Sequence, residues 1–260
     1  MQLLTSFIRD VVNNAGAKGV VVGVSGGVDS ATTLALSVKA LGKDRVYALI
    51  MPDSTVTPQR DVEDAQSLVN SLGVKWYQVD IAPIVDVYKS SIPVYEGEEK
   101  DLIPLGNLRA RIRMTLLYYH ANKLNLLVAG TGDRSEILIG YFTKYGDGAV
   151  DFLPIGSIYK SQVRRLALKL GVPESIALKP SSPRLWRGHE AEKELGMKYE
   201  EIDVILYSIF DLGMTPKEAA EATGLPLEKV LRVVEMYEKS KHKRSLPPAP
   251  PIEEVRKLYK

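Results

Sequence analysis

The sequence predicts an α/β fold, in which a doubly wound parallel sheet is followed by a C-terminal helical extension. Short apolar runs rich in β-branched residues alternate with amphipathic helical stretches through the first half of the chain. The second half lacks strand patterns and reads as helical from about residue 198 onward. We therefore predict an α/β domain over residues 1–197, and a helical extension with its tail over residues 198–260 that packs on the same domain.

Four apolar runs predict the strands of the sheet. The first, residues 19–24, is apolar on both faces, as a buried parallel strand should be. The other three are residues 46–51, 74–79 and 125–130. Helices are predicted between them: one over residues 30–41, one starting at Thr57-Pro58, and a long one with the apolar stripe Leu108, Ile112, Leu116 and Tyr119. Right-handed crossovers between such strands give a doubly wound sheet.

The second half carries helix signals and one irregular segment. We predict a helix over residues 162–170 that ends at Gly171, and a loop over residues 179–188, which contain prolines and serines without periodicity. Residues 198–237 are predicted to be helical, with a capping box at Thr215. The proline-rich residues 245–251 are predicted to run extended.

Composition excludes several classes of function. The chain has 260 residues and a net charge of +2, which argues against a dedicated nucleic-acid binder. It contains no cysteine, so disulfides, thiolate metal sites and a cysteine nucleophile are excluded. No signal-peptide pattern is present, and no apolar run approaches the roughly 20 residues that span a bilayer. We therefore expect a cytoplasmic protein without a membrane or nucleic-acid partner.

A glycine-rich loop follows the first predicted strand, with the sequence Ser25-Gly26-Gly27-Val28-Asp29-Ser30. Ligands of open α/β sheets bind at such strand ends, and the backbone N–H groups of the glycines and of the following helix favour a phosphate. A carboxylate beside phosphates needs a cation between them, so Asp29 predicts Mg²⁺. The loop lacks the lysine of a Walker A motif. The alternative is a plain strand-to-helix turn with an aspartate N-cap.

This loop resembles the pyrophosphate-binding loop of the adenine-nucleotide α-hydrolase superfamily, whose members cleave ATP between the α and β phosphates. Four further stretches are similar to the NAD synthetases of that superfamily and occur in the family's order. They are residues 106–114 (GNLRARIRM), 130–136 (GTGDRSE), 140–154 (GYFTKYGDGAVDFLP) and 185–189 (LWRGH), the last followed by Glu192, Glu194, Leu195 and Gly196. The resemblance implies a Rossmann-like sheet of the nucleotide α-hydrolase type.

The resemblance also implies a reaction. Deamido-NAD would be adenylated by ATP, with release of pyrophosphate, and ammonia would then displace AMP to give NAD. Glutamine-using relatives carry an extra amidase domain with a nucleophilic cysteine, so the chain length and the lack of cysteine predict ammonia as the nitrogen source, either free or supplied by a separate glutaminase subunit. Mg²⁺ is the implied cofactor and ATP a co-substrate. The partners are therefore small molecules, and the family is commonly homodimeric.

Site residues follow from the resemblance position by position. The residues implied to bind ATP are Gly23, Val24, Ser25, Gly26, Gly27, Val28, Asp29, Ser30, Thr131, Lys160 and Ser182. Mg²⁺ is assigned to Asp29 and Glu136, and deamido-NAD to Arg111, Lys144, Asp151, His242 and Lys243. No protein nucleophile is required. Taken alone, Glu136 would be an ordinary acid in a helix's first turn, Lys160 a surface lysine, and residues 241–244 a solvated basic run.

The sequence departs from the family pattern at His189 and Ala191, where a glutamine and an aspartate are usual. We assign them no role, and we predict His189 to be a partly exposed loop residue. Two other functions are compatible with parts of the sequence. A tRNA-thiolating enzyme of the same superfamily usually transfers sulfur through cysteines, which this chain lacks. A DNA-binding regulator would use the helix-turn-helix pattern in residues 215–237, but acidic residues in its second helix favour helical packing instead.

Overall fold

The computed structural model describes residues 1–259 and contains one four-stranded parallel sheet, in the order β3-β2-β1-β4. The strands are β1 (Gly19–Gly23), β2 (Val46–Ile50), β3 (Lys75–Gln78) and β4 (Leu126–Val128). Strand β1 pairs in parallel with β2 and β4, and β2 pairs in parallel with β3. The predicted parallel sheet and its four strands are therefore confirmed.

Thirteen α-helices surround and extend this sheet within residues 1–259. They are α1 (Gln2–Asn14), α2 (Val28–Leu41), α3 (Gln59–Ser71), α4 (Ala82–Ser91), α5 (Leu102–Leu124), α6 (Arg134–Ile139), α7 (Lys160–Lys169), α8 (Glu174–Ala177), α9 (Ala191–Leu195), α10 (Tyr199–Leu206), α11 (Pro216–Thr223), α12 (Leu227–Lys239) and α13 (Ile252–Lys257). Sequence patterns did not anticipate α1, α4 or the short helices α8, α9 and α13. Pro58 is the N-cap of α3 and not its first helical residue, so this helix begins one residue later than predicted.

The side chains of β1 alternate between two cores, which is what makes the sheet doubly wound. Val20 and Val22 pack in a core with residues of α1, α2, α3 and α7. Val21, between them, packs on the opposite face with residues of α4 and α5. Because helices cover both faces, only the ends of the strands remain open to a ligand.

A third core lies in the C-terminal half. Tyr199, Ile202, Val230 and Val233 pack there with Ile139 of α6, so the helical extension is joined to the α/β part by shared apolar packing. The two helices of the helix-turn-helix pattern form as α11 and α12, and the buried side of α12 faces this core. The division of the chain at residue 197 stays a prediction.

A buried ion pair fixes the edge of the ligand-binding end of the sheet. Arg109 of α5 donates from Nε to Oδ2 of Asp53, 2.6 Å away, and both side chains are buried. The same guanidinium donates from Nη1 to the backbone oxygen of Leu185 at 3.0 Å. The predicted loop over residues 179–188 is thereby tied to the loop that follows β2.

No helix within residues 1–259 combines the length and the apolar character needed to cross a membrane. The cytoplasmic location stays a prediction.

Candidate active site

A cavity of about 420 Å³ opens at the carboxyl ends of β1, β2 and β4, and we call it the chamber. The predicted site residues in its wall are Gly23, Val24, Ser25, Asp29, Ser30, Thr131, Glu136, Ser182 and Lys243. A smaller cavity of about 50 Å³ adjoins the glycine-rich loop, between that loop and the segment of residues 179–184. The structure thus brings predicted ATP residues of three chain segments, residues 23–30, Thr131 and Ser182, to one end of the sheet.

The glycine-rich loop has a backbone that only glycine accommodates at its centre. Gly26 has φ +76°, and a Cβ there would lie 2.2 Å from the backbone oxygen of Asp61. Ser30 closes the loop, because its Oγ accepts from the Ser25 N–H at 3.1 Å and donates to the Gly27 carbonyl at 3.1 Å. Gly27, not the aspartate, is the N-cap of α2, so the reading of this loop as an aspartate-capped turn is wrong.

Lys160 is completely buried at the start of α7 and faces three carboxylates. Its Nζ lies 2.6 Å from Oδ2 of Asp29, 2.9 Å from Oδ2 of Asp133 and 2.8 Å from Oε1 of Glu136. The surface-lysine alternative is therefore wrong. Burial alone would lower the pKa of Lys160, but the charges of the three acids raise it well above its ordinary value.

The three carboxylates form a candidate cation site. Oxygen atoms of Asp29, Asp133 and Glu136 lie within 4.8 Å of one another. Burial raises the pKa of Asp133 to about 6 and that of Glu136 well above its usual range. Oδ1 of Asp29 is buried and has no hydrogen-bond partner in residues 1–259. Three acids against one lysine leave a negative excess, and hard oxygen donors of this kind fit a divalent cation such as Mg²⁺.

Sequence reasoning missed Asp133, although it lies in the 130–136 motif. It is the N-cap of α6, and its Oδ1 accepts from the Glu136 N–H at 2.8 Å. Capping fixes the carboxyl group so that its second oxygen faces Lys160. The available signal was an aspartate three residues before Glu136, at the start of a helix that follows a strand end.

The residues assigned to deamido-NAD are only partly joined to the chamber. Exposed Arg111 donates from Nη2 to the Lys144 carbonyl at 3.2 Å, and Nζ of Lys144 donates to the His242 carbonyl at 2.7 Å. Of this group, Lys243 lies in the chamber wall. Asp151 accepts from the backbone of β4, through the Val128 N–H at 2.7 Å. Their roles in substrate binding stay predictions.

The three arginines of α5 point in different directions, as their spacing predicts. Arg109 is buried against Asp53, and Arg111 is exposed. Arg113 lines the chamber, where its Nε donates to the Met51 carbonyl at 2.9 Å and burial lowers its pKa to about 10. The sequence motif held Arg113, but nothing in the local pattern distinguished it from its two neighbours.

His189 corrects another expectation. Its side chain is only 3% exposed, because it stacks on Trp186 with ring centroids 3.5 Å apart. Nε2 lies 2.7 Å from Oε2 of Glu194, which also accepts from the Tyr141 hydroxyl at 2.6 Å. Burial lowers the pKa of His189, and Glu194 offsets only part of this effect. Ala191 is buried in the third core, which explains how an apolar residue is accommodated at that position.

Comparisons with known proteins agree on one family. A family model described as NAD synthase matches residues 1–247. An NH(3)-dependent NAD(+) synthetase from Hyperthermus butylicus is 67% identical over 247 residues, which are 95% of this chain and 88% of that protein. The solved structure of an NMN synthetase from Francisella tularensis is 35% identical, with a TM-score of 0.83 and 96% of each chain covered. An NH3-dependent NAD synthetase from Campylobacter jejuni, in complex with the nitrate ion, is 32% identical, with a TM-score of 0.79, 96% of this chain and 97% of that chain covered.

The buried imidazole of His189 predicts a pH dependence of stability. Its folded-state pKa is lowered, so its contribution is present above the unfolded-state value of about 6.5 and is lost as pH falls through the folded-state value. Between about pH 7 and pH 5, the free energy of unfolding of the wild type should therefore decrease more steeply than that of His189→Gln. Urea denaturation across this range measures both, and parallel curves would contradict the prediction.

Proposed function

The chain belongs to the NAD synthase family, and we propose that it amidates deamido-NAD to NAD with ammonia and ATP, through an adenylated intermediate. The reaction makes it a carbon–nitrogen ligase that releases AMP and pyrophosphate. One observation carries this proposal beyond the family match. The glycine-rich loop, Lys160 and the carboxylates of Asp29 and Glu136 meet at the strand ends, where a phosphate anion and a cation would be held together.

In the first step, the nicotinate carboxylate attacks the α-phosphorus of ATP, and pyrophosphate leaves. The chain supports this step by position and charge. The N–H groups of Gly26, Val28 and Asp29 would donate to the phosphates, while the hydroxyl groups of Ser25 and Ser30 hold the loop in its conformation. Lys160 keeps its positive charge, since its pKa is raised, and it lies against the carboxylates that would hold the cation.

Asp29 and Glu136 are the residues proposed to hold Mg²⁺, with Asp133 orienting Lys160 beside them. When bound, the ion would neutralise phosphate charge during departure of pyrophosphate. The donor set supports this assignment, because all three groups offer carboxylate oxygen and one oxygen of Asp29 is buried without a partner in residues 1–259.

In the second step, ammonia attacks the activated carbonyl carbon, and AMP leaves. Neither step needs a covalent bond to a side chain, which agrees with a chain that contains no cysteine. Catalysis of this kind depends on holding the reacting groups in line and on electrostatic stabilisation.

The two nucleotide substrates are proposed to bind at different parts of this end of the sheet. The chamber of about 420 Å³ falls within the roughly 300–1,000 Å³ usual for one small-molecule ligand. We therefore place ATP at the glycine-rich loop, with Thr131 and Ser182 in its wall. Deamido-NAD would enter past Lys243 and extend over the exposed surface that carries Lys144 and Arg111. Asp151 and His242 complete the proposed dinucleotide site.

Product analysis tests the function directly. With ATP, Mg²⁺, ammonium and deamido-NAD, the protein should form NAD, AMP and pyrophosphate in equal amounts. A parallel reaction should contain nicotinate mononucleotide, because one of the similar structures is an NMN synthetase. Preferential formation of NMN would show that the preferred substrate is nicotinate mononucleotide and not deamido-NAD. Formation of ADP in place of AMP would reject the proposal.

Asp29→Asn tests the cation site. Loss of this carboxylate should lower kcat by about 100-fold or more, a loss typical of removing one group that stabilises transition-state charge. The control is Asp86→Asn, which changes an aspartate with 66% side-chain exposure. Thermal denaturation should show that both variants fold. Wild-type turnover by Asp29→Asn would contradict its role in binding the ion.

We also propose that the chain forms a homodimer. Large apolar side chains are exposed on α4, on α5 and between them: Val87, Tyr88, Val94, Ile103 and Tyr119. Val87 and Tyr88 are neighbours on α4, and exposed apolar side chains that lie together are typical of an interaction site. Sedimentation equilibrium should give twice the chain mass of 28.7 kDa, and Ile103→Glu should shift the protein toward the monomer. A monomer at every concentration would contradict the proposal.

A further inference from the structure

The small cavity beside the glycine-rich loop has walls of different origin. One wall is the loop itself, with Ser25, Gly26 and Gly27. The other is the irregular segment that contains Lys179 and Arg184. Arg184 lines both this cavity and the chamber, so its side chain lies where the two spaces meet. Neither Lys179 nor Arg184 was predicted from the sequence to be a site residue.

Lys179 fastens this segment to the loop. Its Nζ donates to the Gly26 carbonyl at 2.8 Å, to Oδ1 of Asp61 at 2.9 Å and to Oδ2 of Asp64 at 2.5 Å. An ammonium group has three N–H donors, so all of them are used by the protein. Lys179 therefore has no donor left for a ligand, and its contribution is to hold the segment in place.

Arg184 differs from Lys179 because only one of its side-chain nitrogens is used by the described part of the protein, and its other donors remain available to a ligand. Its Nε donates to Oδ2 of Asp61 at 2.6 Å, and its terminal nitrogens Nη1 and Nη2 make no hydrogen bond to another group of residues 1–259. The side chain is 25% exposed, which leaves those nitrogens accessible from the cavity. Asp61 thus orients the guanidinium without occupying its outer edge.

The backbone of Arg184 has an unusual, left-handed conformation. Its φ is +51°, and only two other non-glycine residues in 1–259 have a positive φ. A left-handed backbone at an arginine is sparsely populated and persists where the surrounding contacts impose it. Here the Arg184 N–H donates to Oγ of Ser182 at 3.2 Å while the side chain is drawn to Asp61. These contacts hold Arg184 in the wall of the small cavity, across from the loop residues.

We propose that Arg184 is a pyrophosphate-binding residue of the adenylation step. Its outer nitrogens donate to the β- and γ-phosphate oxygens of ATP from the side opposite the loop backbone, in the two-pronged geometry that a guanidinium offers to phosphate. This inference rests on the proposed function. As a nicotinate carboxylate oxygen bonds to the α-phosphorus, the bond to the α,β-bridging oxygen breaks, and its electron pair leaves on pyrophosphate. Arg184 stabilises the charge that develops there.

Direct binding of magnesium pyrophosphate tests this role without turnover. By calorimetry, Arg184→Met should bind it about tenfold or more weakly, the loss expected for a hydrogen bond between charged groups. AMP, which lacks the β and γ phosphates, should bind with unchanged affinity. Arg184→Lys should fall between, because it keeps the charge but loses the forked geometry.

Arg187→Met is the matched control. Arg187 belongs to the same segment, is exposed, donates from Nε to the Thr55 carbonyl at 2.8 Å, and lines neither cavity. This variant should bind pyrophosphate as the wild type does. Wild-type affinity in Arg184→Met, an equal loss of AMP binding, or an equal loss in Arg187→Met would overturn the assignment.

The outcomes separate this inference from the proposed function. If the wild type makes NAD while Arg184→Met keeps full pyrophosphate affinity, only the assignment of Arg184 fails. If the wild type binds pyrophosphate through Arg184 but makes no NAD, the site stands and the amidation proposal fails.

Discussion

The burial of the Lys160 ammonium is the constraint on which the site depends. A buried cation is strongly destabilising unless opposite charges lie against it, so Asp29, Asp133 and Glu136 must all approach Nζ. These residues come from the first turn of α2 and the start of α6, while Lys160 begins α7. One charge cluster therefore holds three helix N-termini together at the strand ends. Because the acids outnumber the lysine, the same cluster that stabilises the fold also attracts a further cation.

The helical extension stabilises this charge cluster through hydrogen bonds from α10. Ser135, next to Glu136, donates from Oγ to Oδ1 of Asp203 in α10 at 2.5 Å, and it accepts from the Lys160 N–H at 2.9 Å. Asp203 also accepts from the Ser161 N–H at 2.8 Å. The ring of Tyr199 lies 5.0 Å from the lysine ammonium. Residues of α10 thus fix the starts of α6 and α7, which positions Lys160 and Glu136 for the chemistry at the chamber.

Local sequence patterns were enough for the strands, the main helices and the glycine-rich loop, because apolar periodicity and turn residues act over short distances. They failed where long-range contacts decide. Lys160 meets Asp29 across 131 positions of sequence, and a lone lysine carries no local sign of burial. His189 lies in an irregular segment that predicts exposure, yet Trp186 and Tyr141 cover it. The family resemblance supplied Lys160 and Glu136. Asp133 and Arg113 lie within its motifs, but no role was predicted for them or for Arg184.

The segment around residues 179–190 shows how an irregular chain acquires one conformation. It contains no helix or strand, and its backbone is held from outside by charged side chains. Lys179 reaches the Gly26 carbonyl, Arg109 reaches the Leu185 carbonyl, and Arg184 reaches Asp61. The backbone of Asp61 also packs against the glycine-rich loop, because its carbonyl oxygen would lie only 2.2 Å from a Cβ on Gly26. The loop and the segment therefore share one support at the start of α3, so a displacement of either is transmitted to the other. A phosphate bound in the small cavity would contact both the loop and the segment, and it would therefore stabilise their relative position.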